Sequence, residues 1–569
     1  MKSTPRLSAS HAVFGLTVIL FFLGGLRDLG SLPKIYEDES LVAAPGWFLA
    51  TTGVFAFPPD AGFAGSERHA FGFMPLHSIL VGALLRATGP GLFEARLVSL
   101  AMAILILVLT YILASCLLTP AAGAVAVALL AFAPVQAPVS HLRLGIPMAD
   151  LARLVRYDVS TGLFGLAALV VLAPSLARRA PPSSRRLAAA GVLVGLATLC
   201  HANGLLWLPA LTAAALASYG RSAWRVALPP LAAGFGACLV PWALWVAPSL
   251  ADYIAQNRVY SERVDLLSPG FYLTNLKGEI ARYGLVLNAA HRSATPWLFA
   301  TAFSAGALVL ARRFRDPQTG AARGLLLPAL VFSSLLALLG QSKNVLYLAP
   351  LWPLAALFAG LGAIEAWRRL GRIGRAGVAL AGIVVAWEAA STWRSFAIEA
   401  RATTPYLDVT RRIADLIPPG RRVMGLPHWW LGLVSSHPDY VTVPLHWSRP
   451  EFRATPVPFA KAADSFSPDV FLVDSLIRDL VTKDARVEAP LHELGSSVEA
   501  WLEGRGTLLA TLSDATYGEV AVYGISATGP PISDAARSST SSTETRMRQW
   551  RSPRAQTGCM QAPQERSSL

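Results

Sequence analysis

The sequence is short of charge. Only 15% of its 569 residues are Asp, Glu, Lys or Arg, against about 25% in ordinary soluble domains. With 53% hydrophobic residues and a mean hydropathy of +0.47, this scarcity excludes a conventional soluble protein. Cysteine is equally scarce. Cys116, Cys200, Cys238 and Cys559 show no metal or redox spacing, so no disulfide framework is expected. Three of them lie in apolar segments, where a thiol behaves as a small hydrophobe. The formal charge is +14, yet no motif interleaves aromatics with the basic residues, which argues against nucleic acid as a partner. Finally, Lys2 and Arg6 precede an apolar stretch from Ala12 to Leu26 that no small-residue cleavage site follows, so it reads as a retained first helix.

What the chain has in abundance is apolar runs, several near or above the ~18 residues that span a bilayer. The positive-inside rule orients them. Basic gaps at Arg178 to Arg186, Arg221 to Arg225, Arg312 to Arg323 and Arg368 to Arg375 recur with two apolar segments between them. Lys2 and Arg6 mark the N-terminus as inside, so residues 29–95 and 140–158 fall outside. The strong runs at 96–118, 121–139 and 159–177 supply the odd number of crossings that this requires. The short apolar segment 72–87 is then an interfacial helix. Shorter runs at 187–200 and 205–218 flank an outer break at His201 to Gly204. A crossing at 226–247 leads to a long outer loop, 248–295. Four more spans, near 296–311, 324–340, 345–364 and 376–393, bring the total to about eleven.

From about residue 398 the composition changes. Asp408 to Ile417 reads as an amphipathic helix stopped by Pro418-Pro419-Gly420. Strand-like runs follow at 422–426, 440–443, 469–474, 508–512 and 519–525. The expected architecture is an α-helical polytopic membrane protein (1–397), an extracytoplasmic α/β domain (398–525) and a disordered Ser/Thr/Arg/Pro-rich tail (526–569).

The unusual polar residues gather on the expected outer face. Tyr36-Glu37-Asp38-Glu39 closely follows the first span. Adjacent carboxylates at a low-dielectric interface repel, which raises the pKa of at least one and suits it to general-base work. The bland reading is a solvated charge run. Arg153, Arg156, Tyr157 and Asp158 open the span near 159, where Asp158 also suits a helix N-terminus. Gln341-Ser342-Lys343-Asn344, with Tyr347, places a lone outer Lys343 as a phosphate partner or as an exposed turn residue. His201 breaks an apolar stretch on the same face. The long loop adds Gln256, Arg258, Tyr260, Arg263 and Arg282, whose arginines suit either a lipid phosphate or the headgroup region.

The order of these motifs resembles glycosyltransferase family 39 of the GT-C superfamily, which includes protein O-mannosyltransferases and the aminoarabinose transferase of lipid A. The likeness rests on Asp38-Glu39 after the first span, Met74-Pro75-Leu76 in the interfacial helix and Arg96 opening the next span. Arg156-Tyr157-Asp158 and Ser342-Lys343 with Tyr347, Pro350 and Pro353 extend it over roughly residues 10–395. Gly72-Phe73-Met74-Pro75 stands where lipid A-type members often carry Lys-Pro-Pro, and His201-Ala202-Asn203-Gly204 where a Lys-Gly is frequent.

The resemblance implies an inverting, multi-pass enzyme of the inner (plasma) membrane with an extracytoplasmic active site. It would move a hexose or pentose from a polyprenyl-phosphate donor in the lipid bilayer to a lipid, glycan or protein acceptor. Asp38 would be the catalytic base, with Glu39 and Asp158 beside it. Arg156, Tyr157, His201, Arg258, Lys343 and Tyr347 would bind substrate. No cofactor or metal is implied. The competing reading is a transporter or lipid flippase, which would place ionisable residues at mid-membrane and show internal repeats. The spans hold few charges, Glu365 and Glu388 lie near span ends, and no clear repeat is present.

Overall fold

The computed structural model describes residues 8–139, 141–178, 180–219, 223–314, 320–449, 455–482 and 492–526. The expected disordered tail lies outside the described residues, apart from Ser526.

The chain divides into two units. One gathers the residues up to Ala56 together with His69–Arg401. The other gathers Phe57–Arg68 with the residues from Ala402 on. The first unit is all helical: α1 (Ala9–Leu26), α2 (Glu37–Thr52), α3 (Pro75–Thr88), α4 (Leu92–Leu117), α5 (Pro120–Phe132), α6 (Pro147–Leu151), α7 (Tyr157–Arg178), α8 (Ser184–Cys200), α9 (Trp207–Tyr219), α10 (Ala223–Val246), α11 (Leu250–Gln256), α12 (Arg258–Ser261), α13 (Pro269–Ala290), α14 (Thr295–Arg313), α15 (Ala321–Leu339), α16 (Trp352–Arg369) and α17 (Arg372–Ala402).

Among the described residues six helical stretches are long and apolar enough to cross a membrane: Ala9–Leu26, Leu92–Leu117, Tyr157–Arg178, Trp224–Gln256, Ala321–Leu339 and Arg372–Asp415. The pair α13 and α14, bent by 119°, makes a seventh if it counts as one span. The other expected crossings fall mostly on shorter helices. The 121–139 run is helical only over α5, whose 13 residues reach about 20 Å, short of a hydrocarbon core of about 30 Å. Thr119 caps α5 by accepting the Ala122 N–H at 3.1 Å, and Pro120 occupies its first position. The chain leaves helical geometry at Ala133-Pro134, because a residue before proline disfavours the α region.

The short apolar segment at 72–87 forms α3, which crosses α2 at two glycines. A Cβ on Gly46 would lie 1.7 Å from the Ser78 carbonyl oxygen, and one on Gly82 would lie 2.0 Å from the Gly46 backbone. No other residue type permits that approach. Arg153 ties the start of the chain to the segment before α7. Its buried guanidinium donates to the carbonyls of Gly24, Gly25, Arg27 and Leu32 at 2.6–3.2 Å. Those of Gly24, Gly25 and Arg27 are carbonyls at the end of α1, which lack intrahelical partners.

The stretch 248–295, expected as a loop, contains α11, α12 and the 22-residue α13. Leu273, Leu276, Ile280 and Leu287 of α13 are exposed, whereas Asn275, Glu279 and Arg282 are buried. In water that polarity would be inside out. It fits a helix whose surroundings are apolar.

The second unit carries α18 (Tyr406–Asp415), β1 (Val423–Gly425), α19 (Trp430–Leu433), β2 (Val441–Thr442), α20 (Phe459–Ser465), β3 (Val470–Val473), α21 (Ser475–Val481), α22 (His492–Arg505), β4 (Gly506–Asp514) and β5 (Gly518–Ile525). The sheet order is β2-β1-β3-β5-β4, with β2, β1 and β3 parallel and β5 and β4 antiparallel. Each strand-like run in the sequence supplies one strand. Asp474, at the end of β3, caps α21 through the Leu476 and Ile477 N–H groups and accepts from Trp429 Nε1 at 2.9 Å. Burial pushes its carboxyl up, but these bonds and His428 at 3.0 Å outweigh burial and hold it below the usual range.

Phe57–Arg68 lies against β2 and the turn that follows it. Asp60 contacts His446 Nε2 at 3.0 Å, and Thr442 Oγ1 donates to the Pro59 carbonyl at 3.1 Å. Phe63 meets the His446 ring edge-on at 4.4 Å. Gly62, at φ +79°, comes so close to Trp447 that a Cβ would sit 2.5 Å from the indole. No local sequence pattern announces this long-range contact.

Candidate active site

The acidic cluster forms the first turn of α2, with Tyr36 as the preceding residue. Successive residues there point about 100° apart, so Asp38 and Glu39 have different surroundings. Glu39 is fully buried. Its Oε1 accepts from Arg96 Nη2 at 2.7 Å and the Tyr36 N–H at 3.0 Å. Its Oε2 accepts from Arg96 Nε at 2.8 Å and the Val155 N–H at 2.9 Å. Arg96 also donates to the Leu29 carbonyl at 2.9 Å. These four bonds occupy both oxygens of Glu39, so it holds segments together.

Asp38 is partly exposed and ion-pairs with Arg156 Nη1. Arg156 Nε donates to Asp158 Oδ2 at 3.0 Å. One buried guanidinium thus bridges the two carboxylates that the topology argument brought to one face. Burial opposes the charge on Arg156, but Tyr157, Asp158 and Asp38 outweigh it and keep the group protonated. The guanidinium also lies over the Tyr157 ring, 4.6 Å from its centroid.

Three further expected residues join this group. Tyr157 stacks on His201 at 4.7 Å and 11°, and His201 meets Tyr347 at 5.0 Å. His201 caps the break between α8 and α9 by accepting the Asn203 N–H at Nδ1. Burial lowers its pKa to about 4, so the ring is neutral at pH 7. The result is an aromatic row beside a cation and two carboxylates, with apolar ring faces and polar edges.

Two expected residues do not join it. Lys343 donates to the Ala337 carbonyl at 2.8 Å and pairs with Glu279 at 3.2 Å. Burial lowers its pKa against the pull of Glu279. Glu279 also binds Arg282, whose Nε and Nη1 have no partner among the described residues although the residue is 3% exposed. Tyr347, four residues after Lys343, connects this second group to the first along the chain. Arg258 is paired with Glu262 at 2.6 Å on an exposed surface and takes part in neither group.

Sequence reasoning missed His141 and His77. His141 stacks on Tyr36 at 4.6 Å and 18°. His77, fully buried on α3, bonds through Nδ1 to Ser160 Oγ at 2.8 Å, two residues beyond Asp158. A lone histidine in an apolar or loop segment carries no signal by itself. Among the described residues, no group of three or more His, Cys, Asp or Glu side chains could hold a metal ion.

No protein-family model and no curated protein sequence matches the chain. Solved structures do match. ArnT from Cupriavidus metallidurans in the apo state superposes with a TM-score of 0.59 at 16% identity, covering 92% of this chain and 100% of that one. The same protein bound to undecaprenyl phosphate gives 0.57 at 15%, with the same coverage. The archaeal oligosaccharyltransferase AglB from Archaeoglobus fulgidus, in complex with an inhibitory peptide and a dolichol-phosphate, gives 0.52 at 13%, covering 91% and 75%. The chain therefore has the fold of the GT-C glycosyltransferases, the superfamily that its loop motifs resemble.

Proposed function

We propose that this chain is an inverting glycosyltransferase that moves a sugar from a polyprenyl-phosphate donor to a lipid, glycan or protein of the cell envelope. Its site would lie on the outer face of the plasma membrane. The observation that carries this reading is the Asp38–Arg156–Asp158 array beside the Tyr157–His201–Tyr347 row. Solved neighbours of the same fold bind undecaprenyl phosphate and dolichol-phosphate.

In this reading Asp38 takes the proton of the acceptor hydroxyl as its oxygen attacks the anomeric carbon from the face opposite the phosphate. The carbon–oxygen bond to the phosphate breaks, and the electron pair leaves on the lipid phosphate. A positioned base of this kind contributes roughly 10²–10⁴-fold. Arg156 orients Asp38, and Asp158 fixes Arg156 from the other side. Charge collecting on the leaving phosphate needs a cation. Lys343 and Arg282 are assigned that work, because Arg282 keeps two buried N–H-bearing nitrogens without a partner among the described residues. A prenyl chain stays in the bilayer throughout, so recognition falls to the phosphate and the sugar.

The test is a deletion strain scored for the sugar missing from its envelope lipids, glycans and proteins, then complemented with the wild type or Asp38→Asn. The variant is expected to accumulate in membranes without restoring the sugar. Near-normal restoration by Asp38→Asn would remove Asp38 as base.

A further inference from the structure

Two long helices, α1 and α17, face each other across a cleft of about 230 Å³. Leu20, Gly24 and Arg27 line one wall, and their spacing of four and three residues places them on one side of α1. Trp393, Phe396 and Ala397, at the same helical spacing, line the other wall from α17. A Cβ on Gly24 would meet the Trp393 indole at 3.2 Å, so glycine lets that ring lie close against α1. The last residue of α5, Phe132, borders the same space. The 13 residues of α5 reach about 20 Å, whereas α17 has 31 residues. The cleft therefore opens where α5 stops between two longer neighbours.

Leu16 and Leu20, one turn apart on α1, are both exposed, as is Trp387 on α17. These are surfaces that lipid covers. Arg153 backs the Phe396 wall, with its guanidinium 4.4 Å from the ring centroid. Its nitrogens are all engaged by the carbonyls of Gly24, Gly25, Arg27 and Leu32, so it offers nothing to a ligand.

An alkyl chain gains little by entering this cleft, because it leaves surroundings that are equally apolar. A lipid that stays must be held by its headgroup. Among the lining residues Arg27 alone is charged. It pairs with Asp28 at 3.3 Å, and both side chains keep solvent exposure, so each remains within reach of a ligand. Of the charged neighbours on α17, Glu399 is paired with Arg143, and Arg394 points about 100° around the helix from Trp393. The mouth thus presents one cation and one anion side by side. That pair complements a phosphate followed closely by an ammonium. To a purely anionic headgroup it opposes a carboxylate.

We propose that this cleft binds a zwitterionic phospholipid, with one acyl chain between α1 and α17, the phosphate on Arg27 and the headgroup ammonium on Asp28. The site is distinct from the Asp38–Arg156–Asp158 array, and its existence does not depend on the glycosyltransferase reading.

The experiment is native mass spectrometry of the full-length chain in detergent, titrated with phosphatidylethanolamine or phosphatidylglycerol carrying the same acyl chains. Wild type is expected to bind one phosphatidylethanolamine about three- to tenfold more tightly than phosphatidylglycerol, the ratio that one partly exposed charged contact controls. Ala397→Trp fills the cleft and should weaken that binding about tenfold, as overpacking of a fitted space does. Leu380→Trp, at an exposed position of the same helix, should bind like wild type. Arg27→Gln keeps the backbone carbonyl that Arg153 uses and should abolish the headgroup preference.

Equal affinity for the two lipids in wild type overturns the proposal, as does unchanged binding in Ala397→Trp. Displacement of the bound phosphatidylethanolamine by an equimolar amount of undecaprenyl phosphate would make the cleft part of a polyprenyl-phosphate site and overturns it too. Thermal midpoints measured alongside identify a variant that loses lipid because it has unfolded. Arg27→Gln, at a partly exposed position, then carries the test, and an unchanged headgroup preference in that variant overturns the proposal.

Discussion

Glu39 turns both carboxylate oxygens onto Arg96, at 2.7 and 2.8 Å, and neither side chain is exposed. Through the Val155 N–H and the Leu29 carbonyl, the same pair ties α2 and α4 to the segment that delivers Arg156. Removing one partner strands a buried charge, which costs roughly 3–5 kcal/mol. Glu39→Ala and Arg96→Ala should each sharply lower the thermal midpoint in detergent. Replacing both by apolar residues, as in Glu39→Met with Arg96→Met, should be milder than either single change. A double variant as unstable as the sum of the singles would show that the pair is not coupled.

The bridging role of Arg156 makes its replacement informative. A lysine keeps the charge but presents a point donor instead of a fork. It cannot reproduce contacts to Asp38 and Asp158 made from two different nitrogens. Arg156→Lys is expected to cut the rate of sugar restoration by about 10²-fold, because a misplaced group costs that much even when the chemistry is intact. Asp158→Asn should be similarly severe. A mild Asp158→Asn phenotype would confine that residue to capping α7.

The part of this site that the sequence exposed is the part set by topology. Parity of crossings brought Asp38 and Asp158 together, and a break in an apolar run marked His201. What the sequence could not resolve was which adjacent carboxylate faces inward. Asp38 and Glu39 are chemically alike, and only the position of Arg96, more than fifty residues away, decides it. The long stretch 248–295 was hidden for a related reason. The buried polar face of α13 lowers its hydropathy, so a helix with lipid-compatible Leu273, Leu276 and Ile280 on the outside reads as a loop. The C-terminal sheet was legible because its strands are short and bounded by Pro, Gly and Asp. The Phe57–Arg68 contact was not, because nothing local encodes a partner almost four hundred residues away.

The second polar group separates binding from chemistry. If Arg282 and Lys343 meet the donor phosphate, Arg282→Gln should raise the donor concentration needed for half-maximal transfer by about tenfold or more, the effect of losing one charge-assisted hydrogen bond. The maximal rate should fall less. Undecaprenyl phosphate, titrated against the purified chain, gives an activity-free check: unchanged affinity in Arg282→Gln would remove Arg282 from the donor site.

Asp150, in the short α6 between the spans, predicts a pH dependence of stability. Burial raises its pKa to about 7, against the opposing N–H bonds from Leu144 and Gly145 and a weak contact from Gln136. The folded chain therefore holds this proton more tightly than the unfolded chain, whose Asp titrates near 3.9. The group's contribution to stability is complete below about pH 4 and is lost as pH rises to about 7. Asp150→Asn keeps an acceptor for Leu144 and cannot ionise. Thermal midpoints measured from pH 5 to pH 8 should fall with rising pH more steeply in wild type than in Asp150→Asn. Parallel curves would mean that Asp150 is ionised throughout.

The strap formed by Phe57–Arg68 gives the last prediction. Asp60 is nearly buried and meets both His446 and Thr442, while Phe63 packs on the same imidazole. Asp60→Asn should loosen the segment without unfolding the sheet, because the strands of β1, β3 and β5 are paired independently of it. Limited proteolysis should then cut within residues 57–68 faster than in wild type, with no new cuts between Val470 and Val473. His446→Phe keeps the packing against Phe63 but loses the polar contact, so it should give an intermediate rate. Combining it with Asp60→Asn should add little, since both remove one shared interaction. Equal resistance of all four proteins would mean that Gly62 against Trp447, rather than the Asp60 contacts, fixes the strap.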